Sequence, residues 1–196
     1  MKTINLILLF LITLTSNSQV VDYKNFDNKL LEKLVFEEIN KYRDSLGVDR
    51  VMWSNVMYNY VTTKQTKIVS KGDRLFHPNL DLVATDEFKI LVSKESEKLT
   101  GIKSFNSGTA DSFYNLTEIA GLISVRNITY QQLAKLIVGL WDGSYLHKCI
   151  MKGKYTKDGC KGLCSVSAVL NYNKTNIIIF TNFTTVIKDK KMTRIN

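Results

Sequence analysis

The sequence predicts an α+β domain, on the basis of three observations. Helical spacing of apolar residues dominates the first two-thirds of the chain, and strand-like alternation dominates the last third. The composition, with 44% hydrophobic residues and one Pro in 196 residues, suits a compact domain rather than a disordered or collagen-like chain. A domain of this size buries about two-thirds of its unfolded surface, so its folding does not depend on disulfides.

The charge distribution argues against a nucleic-acid partner. The chain has 27 Lys and Arg residues against 18 Asp and Glu, for a formal net charge of +9. The basic residues are scattered, apart from a basic C-terminal tail at residues 187–196 that lacks interleaved aromatics. Only a clustered patch builds a field that attracts phosphate, so we expect no binding to nucleic acid.

The N-terminus has the parts of a secretory signal peptide. Lys2 precedes an apolar run over Ile4–Leu14, and small polar residues follow up to Ser18. This run of about eleven residues is too short to cross a bilayer core of about 30 Å. We therefore expect residues 1–18 to be removed and the mature chain to be secreted, to the periplasm or the exterior, without a transmembrane segment.

Two helices are expected near the start of the mature chain, after a short N-terminal segment at residues 19–29. Asp27 is the expected N-cap of the first helix and Gly47 follows its end, with Glu32, Glu38 and Lys41 facing away from the core. Its expected apolar stripe comprises Leu31, Val35, Ile39, Tyr42 and Leu46. Ser54 is the expected N-cap of the second helix, which Gly72 ends, with an inner side formed by Met57, Tyr60 or Val61, Lys64 and Ile68.

The remaining elements are a third helix and a hairpin. Between residues 80 and 113 only a helical piece from Asp86 to Lys98 is expected. Thr129 and Gln132 form a capping box for the third helix, whose expected inner face is Leu133, Ile137, Leu140 and Trp141. Val166, Ala168 and Leu170 alternate with serines, which predicts a half-buried strand, and residues 177–183 pair with it as an antiparallel hairpin.

Several segments, read in order, resemble the CAP superfamily of cysteine-rich secretory, antigen 5 and pathogenesis-related 1 proteins, in its short bacterial form. They are Ile39–Arg43 with Gly47, Val51–Trp53, Phe76–His77, Thr117–Ala120, Trp141–His147 and the strand Ile179–Phe183. The resemblance covers residues 30–186. It implies a three-layer α-β-α sandwich, with a small antiparallel sheet between helices.

The resemblance also implies a cleft in which His77, Glu118 and His147 converge, with Ser144 beside them. In the family the two histidines can hold a divalent metal, often zinc, and imidazole is a common ligand of such metals. The 41 positions between His77 and Glu118 exceed the family's usual spacing, so an insertion around residues 80–113 is expected to cover the cleft. Glu95 and Glu97 lie in that insertion and are alternatives to Glu118 as the cleft carboxylate.

Three functions remain open from the sequence. The first is an extracellular binding or interaction module whose ligand or surface partner the sequence does not identify. The second is a metal-dependent hydrolase that uses the two histidines for the metal and Glu118 as the general base, although neither this set nor one based on Ser144 is complete. The third is a lipid or sterol carrier lined by Phe76, Phe88, Phe105, Phe113 and Tyr114. We expect binding rather than catalysis.

The three cysteines lie within a short stretch near the second histidine. In an oxidising compartment one pair should close, with Cys149 bonded to Cys160 or to Cys164. Either bond would pin the segment after His147 against the first strand of the hairpin.

Overall fold

The computed structural model describes residues 19–80, 85–101, 116–153 and 161–186. The predicted signal peptide, the basic tail, Cys160 and the aromatic residues Phe105, Phe113 and Tyr114 therefore lie outside the described residues. Within the described ranges, no helix combines the length and apolar character needed to cross a membrane.

The described chain forms five helices and four strands. The helices are α1 (Asn28–Ser45), α2 (Asn55–Met57, a π-helical turn Tyr58–Thr62, and Thr63–Val69), α3 (Asp86–Thr100), α4 (Tyr130–Gly143) and α5 (Tyr145–Lys152). The strands are β1 (Val51–Trp53), β2 (Thr117–Ile123), β3 (Lys161–Leu170) and β4 (Ile177–Val186). The predicted α+β class is confirmed.

The four strands form one mixed sheet in the order β1-β3-β4-β2. The predicted hairpin is confirmed, since β3 pairs antiparallel with β4 from Leu170 opposite Ile177. The expectation of a purely antiparallel sheet is wrong, because β1 runs parallel to β3 over three residues ending at Trp53 opposite Cys164. The described part of the chain between these two strands contains four helices, which gives it the length to return in the same direction.

Alternate residues of the central strands belong to different core clusters. Val166 and Ala168 of β3 pack with buried residues of α1 and α4, together with Met151 of α5. Leu163, on the opposite face of β3, packs instead with residues of α2 and α3. Phe180 of β4 packs with Val69 at the end of α2.

The predicted helix caps are confirmed. The Asp27 side chain accepts a hydrogen bond from Leu30 N, and Gly47 has a φ of +67° just beyond α1. Ser54 caps α2 by accepting from Met57 N, and Thr129 and Gln132 form the capping box of α4. These caps could be predicted because each one depends on residues within three positions of the helix end.

The predicted inner face of α2 is only partly right, because the π-helical turn changes its phase. Met57 is buried as expected, and of the alternatives Tyr60 and Val61 it is Val61 that is buried. Lys64 and Ile68 are exposed, contrary to the prediction. A π turn adds a residue to the helix, so the buried positions advance by about four residues and reach Gln65 and Val69. Polar residues of α2 thereby face the sheet.

Two sets of polar side chains that were expected to face solvent are buried instead. The reason is the same for both: they form hydrogen bonds that join a helix to the sheet. Glu32 does not face away from the core: it is 3% exposed and accepts a hydrogen bond from the backbone N–H of Ala168 at 3.1 Å. Ser165 and Ser167 are buried too, so β3 is covered on both faces. Their hydroxyls lie 2.5 Å from Thr62 Oγ1 and 2.9 Å from Thr66 Oγ1 respectively.

Two apolar residues assigned to the inner faces of helices are instead exposed. Leu46 lies just after α1 and is 40% exposed, and Leu140 of α4 is 54% exposed. Leu133, Ile137 and Trp141 are buried, as the capping box and spacing of α4 predicted. The buried stripe of α4 is therefore displaced from the predicted one, since Ala134 and Val138 are buried and Leu140 is not.

Candidate functional site

His77 and Glu118 are in contact. Nδ1 of His77 and Oε1 of Glu118 share a hydrogen bond, although the residues lie 41 positions apart. Glu118 is on β2 and points to the same face of the sheet as Asn182, its partner on β4. The His77 side chain is 67% exposed and that of Glu118 is 17% exposed, so the pair lies at the surface with its carboxylate directed inward.

His147 lies just past the end of α4, in the first turn of α5. The helix begins directly after Ser144, which is its N-cap and whose side chain makes no capping hydrogen bond. Burial lowers the pKa of His147, and the charge of His77 lowers it further.

Two residues that the sequence pattern did not single out, Gln65 and Asn182, hold the Glu118 carboxylate on its buried side. Gln65 of α2 donates a hydrogen bond from Nε2 to Oε2 of Glu118. Asn182 of β4 donates from Nδ2 to Gln65 Oε1 at 2.7 Å and to Thr62 Oγ1 at 3.1 Å. The π turn brings Thr62 and Gln65 to the sheet, and single-sequence spacing carries no signal for such a turn.

The carboxylate of Glu118 therefore meets a protein donor at each oxygen. With Nδ1 of His77 donating to Oε1, the proton of a neutral His77 resides on Nδ1 and the lone pair on Nε2. A carboxylate that orients a histidine in this way is the usual second partner of a metal-binding imidazole. This arrangement favours an orienting role for Glu118 over that of general base.

Glu95, the alternative carboxylate, is engaged elsewhere. It accepts hydrogen bonds from the Ser54 hydroxyl, from Asn55 N at 2.7 Å and from Val56 N at 3.2 Å. It therefore caps the start of α2, while Glu97 is exposed on α3. The helix in the insertion is also part of the core, since its Phe88 packs with Met57.

The described cysteines are not joined to each other. Cys149 is half-buried, Cys164 is fully buried, and both are free thiols. A Cys149–Cys164 bond is therefore not formed. The alternative bond to Cys160 falls on a residue outside the described ranges and stays a prediction.

Exposed apolar side chains accompany both histidines. Phe76 precedes His77 and is 47% exposed, and Tyr145 and Leu146 precede His147 and are 78% and 65% exposed. Each histidine therefore has exposed apolar side chains beside it in the sequence, whereas single exposed apolar residues are ordinary on a protein surface.

The described residues contain no cluster of three or more His, Cys, Asp or Glu side chains suited to a metal ion. Comparison with known proteins gives no match to a protein-family model, a curated protein or a solved structure.

Proposed function

We propose that this protein is a secreted, CAP-like extracellular binding module, whose cleft of His77, Glu118 and His147 holds a divalent cation, zinc in the first place. The observation that carries the proposal is the hydrogen bond between His77 and Glu118. The CAP resemblance requires these two residues to share a cleft with His147, and the lowered pKa of His147 is consistent with that.

The proposed fold is the three-layer α-β-α sandwich of that superfamily. The two sets of core contacts support it, since α1 and α4 pack with Val166 while α2 packs with Phe180. The mixed sheet and the helix at 86–100 distinguish this chain from the simplest form of such a sandwich.

The donor set suits a weakly held metal. His77 and His147 would supply two imidazole nitrogens, and water or a partner's group would complete the coordination of zinc. A bound zinc ion would supply a positive charge that polarises a ligand oxygen. Two protein ligands are fewer than the three usual at a catalytic zinc, so we assign the site to binding.

Binding is favoured over hydrolysis by the engagement of Glu118. A general base must reach the proton of a bound water, whereas both oxygens of this carboxylate already accept hydrogen bonds from Gln65 and His77. The apolar side chains of Phe76, Tyr145 and Leu146 beside the histidines suit a partner that combines a metal-binding or polar group with apolar surface.

Calorimetric zinc titration of the mature protein tests this proposal. We expect saturable binding with a Kd of about 1 μM, equivalent to about −8 kcal/mol, that is lost in the His77→Ala, His147→Ala double variant. The matched control is Ser144→Ala, which changes the cleft rim without removing an imidazole. Absence of saturable heat in the wild-type protein would refute the metal site.

A hydrolase assay separates the second function from the first. Peptide and ester substrates should remain intact in the presence of the zinc-loaded protein. Turnover that Glu118→Gln abolishes would instead assign the carboxylate to general-base catalysis.

A further inference from the structure

A row of buried polar residues crosses the sheet under α2 and ends at the cleft. Ser165, Asn182 and Glu118 are register partners on β3, β4 and β2, so their side chains share one face. Asn182 is fully buried and Gln65 is 4% exposed. The two amides form a continuous relay from the interior to the Glu118 carboxylate.

The direction of this relay follows from the charge of Glu118. A carboxylate can only accept, so Gln65 must turn its NH₂ group outward and its Oε1 towards Asn182. Asn182 must then present its own NH₂ group to Gln65, which leaves its Oδ1 inside the protein. That Oδ1 is buried without a hydrogen-bond partner among the described residues.

An unpartnered buried acceptor is destabilising and calls for an explanation. The hydroxyl pair Thr66–Ser167 joins the same helix to the same sheet without such an atom, because a hydroxyl can both donate and accept. Attaching α2 to the sheet therefore does not require two amide side chains with a fixed orientation. Supplying a hydrogen-bond donor to the Glu118 carboxylate does require that orientation.

We propose that Gln65 and Asn182 are positioning residues, which fix the Glu118 carboxylate and through it hold His77 with its proton on Nδ1 and its Nε2 free for the ligand. This inference rests on the proposed function, because it deepens the role of the same cleft. Glu118 Oε2 is held by Gln65, so Oε1 is aimed at His77. Neither amide touches the ligand itself.

Nitrogen-15 NMR of the imidazoles in the metal-free protein tests the proposal. The chain contains only two histidines, so His147→Gln assigns both sets of signals. At a pH where both rings are neutral, His77 should be almost entirely the Nδ1–H tautomer. Gln65→Met keeps the side-chain length but removes the donor, and should convert His77 to a mixture of both tautomers.

Two further variants make the test specific. Asn182→Leu removes the donor to Gln65 and also the unpartnered Oδ1, so it should fold and change the His77 tautomer in the same direction. Thr66→Val is the matched control, because it removes a polar contact of the same interface one helical turn from Thr62 and should leave the tautomer unchanged.

A second readout is zinc affinity, which should fall by about 10-fold or more in Gln65→Met and not in Thr66→Val. The relay is overturned if His77 is the Nε2–H tautomer in the wild-type protein, or if folded Gln65→Met and Asn182→Leu keep the wild-type tautomer. Failure of the wild-type protein to bind zinc refutes the proposed metal site and leaves the tautomer result to decide the relay.

Discussion

Replacing Glu95 by Gln tests whether a carboxylate from α3 holds the first turn of α2. The first N–H groups of a helix have no partner within the helix. Here Asn55 N and Val56 N donate to Glu95, while Met57 N donates to the Ser54 hydroxyl oxygen. Glu95 thus satisfies two backbone donors and places a negative charge at the positive end of the helix dipole.

The expected loss can be worked out from these bonds. A glutamine oxygen still accepts from the backbone, but each bond changes from charge-assisted to neutral, which costs about 1 kcal/mol. Two backbone bonds give about 2 kcal/mol, which lies at the upper end of the effect of a partly buried charge at a helix terminus. For a domain of this size that loss corresponds to a fall in Tm of about 4–8 °C.

Urea unfolding of Glu95→Gln followed by circular dichroism measures this difference. Glu97→Gln is the matched control, because it removes the same charge from an exposed position of the same helix and should change the free energy of unfolding by less than about 0.5 kcal/mol. Equal stability of the two variants would refute the capping role. A loss of zinc affinity in Glu95→Gln without destabilisation would instead indicate that the Glu95 carboxylate belongs to the cleft.

Three further predictions follow from buried or shielded groups. Burial and the hydrogen bond to a neighbouring aspartate raise the pKa of Tyr42 to about 12, so its neutral form stabilises the fold fully below pH 10 and this contribution is lost between pH 10 and 12. An absorbance titration at 295 nm should show one tyrosine that ionises near pH 12, and this transition should be missing in Tyr42→Phe. If Tyr42→Phe instead lacks a transition near pH 10, the prediction is wrong. Burial raises the pKa of the Cys164 thiol and shields it, so iodoacetamide should alkylate Cys164 only after unfolding, as read by peptide mass mapping; alkylation of Cys164 in the native protein would contradict this. Glu32→Ala leaves the Ala168 N–H buried without its acceptor and should cost about 1–3 kcal/mol in urea unfolding, with faster hydrogen exchange at that amide; unchanged exchange would refute the bond.

The features that could be predicted from sequence are local ones. Asp27, Ser54 and Thr129 act within one turn of their own helix, so their residue types and spacing suffice to identify them. The hairpin could be predicted as well, because the alternation of apolar and polar residues in β3 and the turn residues before β4 lie in one continuous segment. The α3 helix was found to within two residues, at Asp86–Thr100.

The features that were missed depend on distant partners. Glu32 has the residue type of a surface position, and its burial depends on distant hydrogen-bond donors, namely the Tyr58 hydroxyl and the backbone N–H of Ala168, which is 136 positions away. Ser165 and Ser167 alternate with apolar residues, which is the pattern of a strand with one solvent-facing side. In the structure that side is covered by α2, whose threonine hydroxyls contact the serine hydroxyls. At the site, His77 and Glu118 could be nominated by residue type, whereas Gln65 and Asn182 are ordinary polar residues until the π turn and the sheet bring them together.

The short length of β1 has a consequence for the behaviour of this protein at high concentration. β1 pairs with β3 only as far as Cys164, so within the described residues the following stretch of β3 has no strand on that side. An open strand edge invites pairing with another chain and is a common origin of aggregation. The Glu32 carboxylate already accepts from the N–H of Ala168 on this edge, so that backbone donor is not available to an additional strand. A helix side chain here takes the hydrogen bond that a longer β1 would otherwise have made.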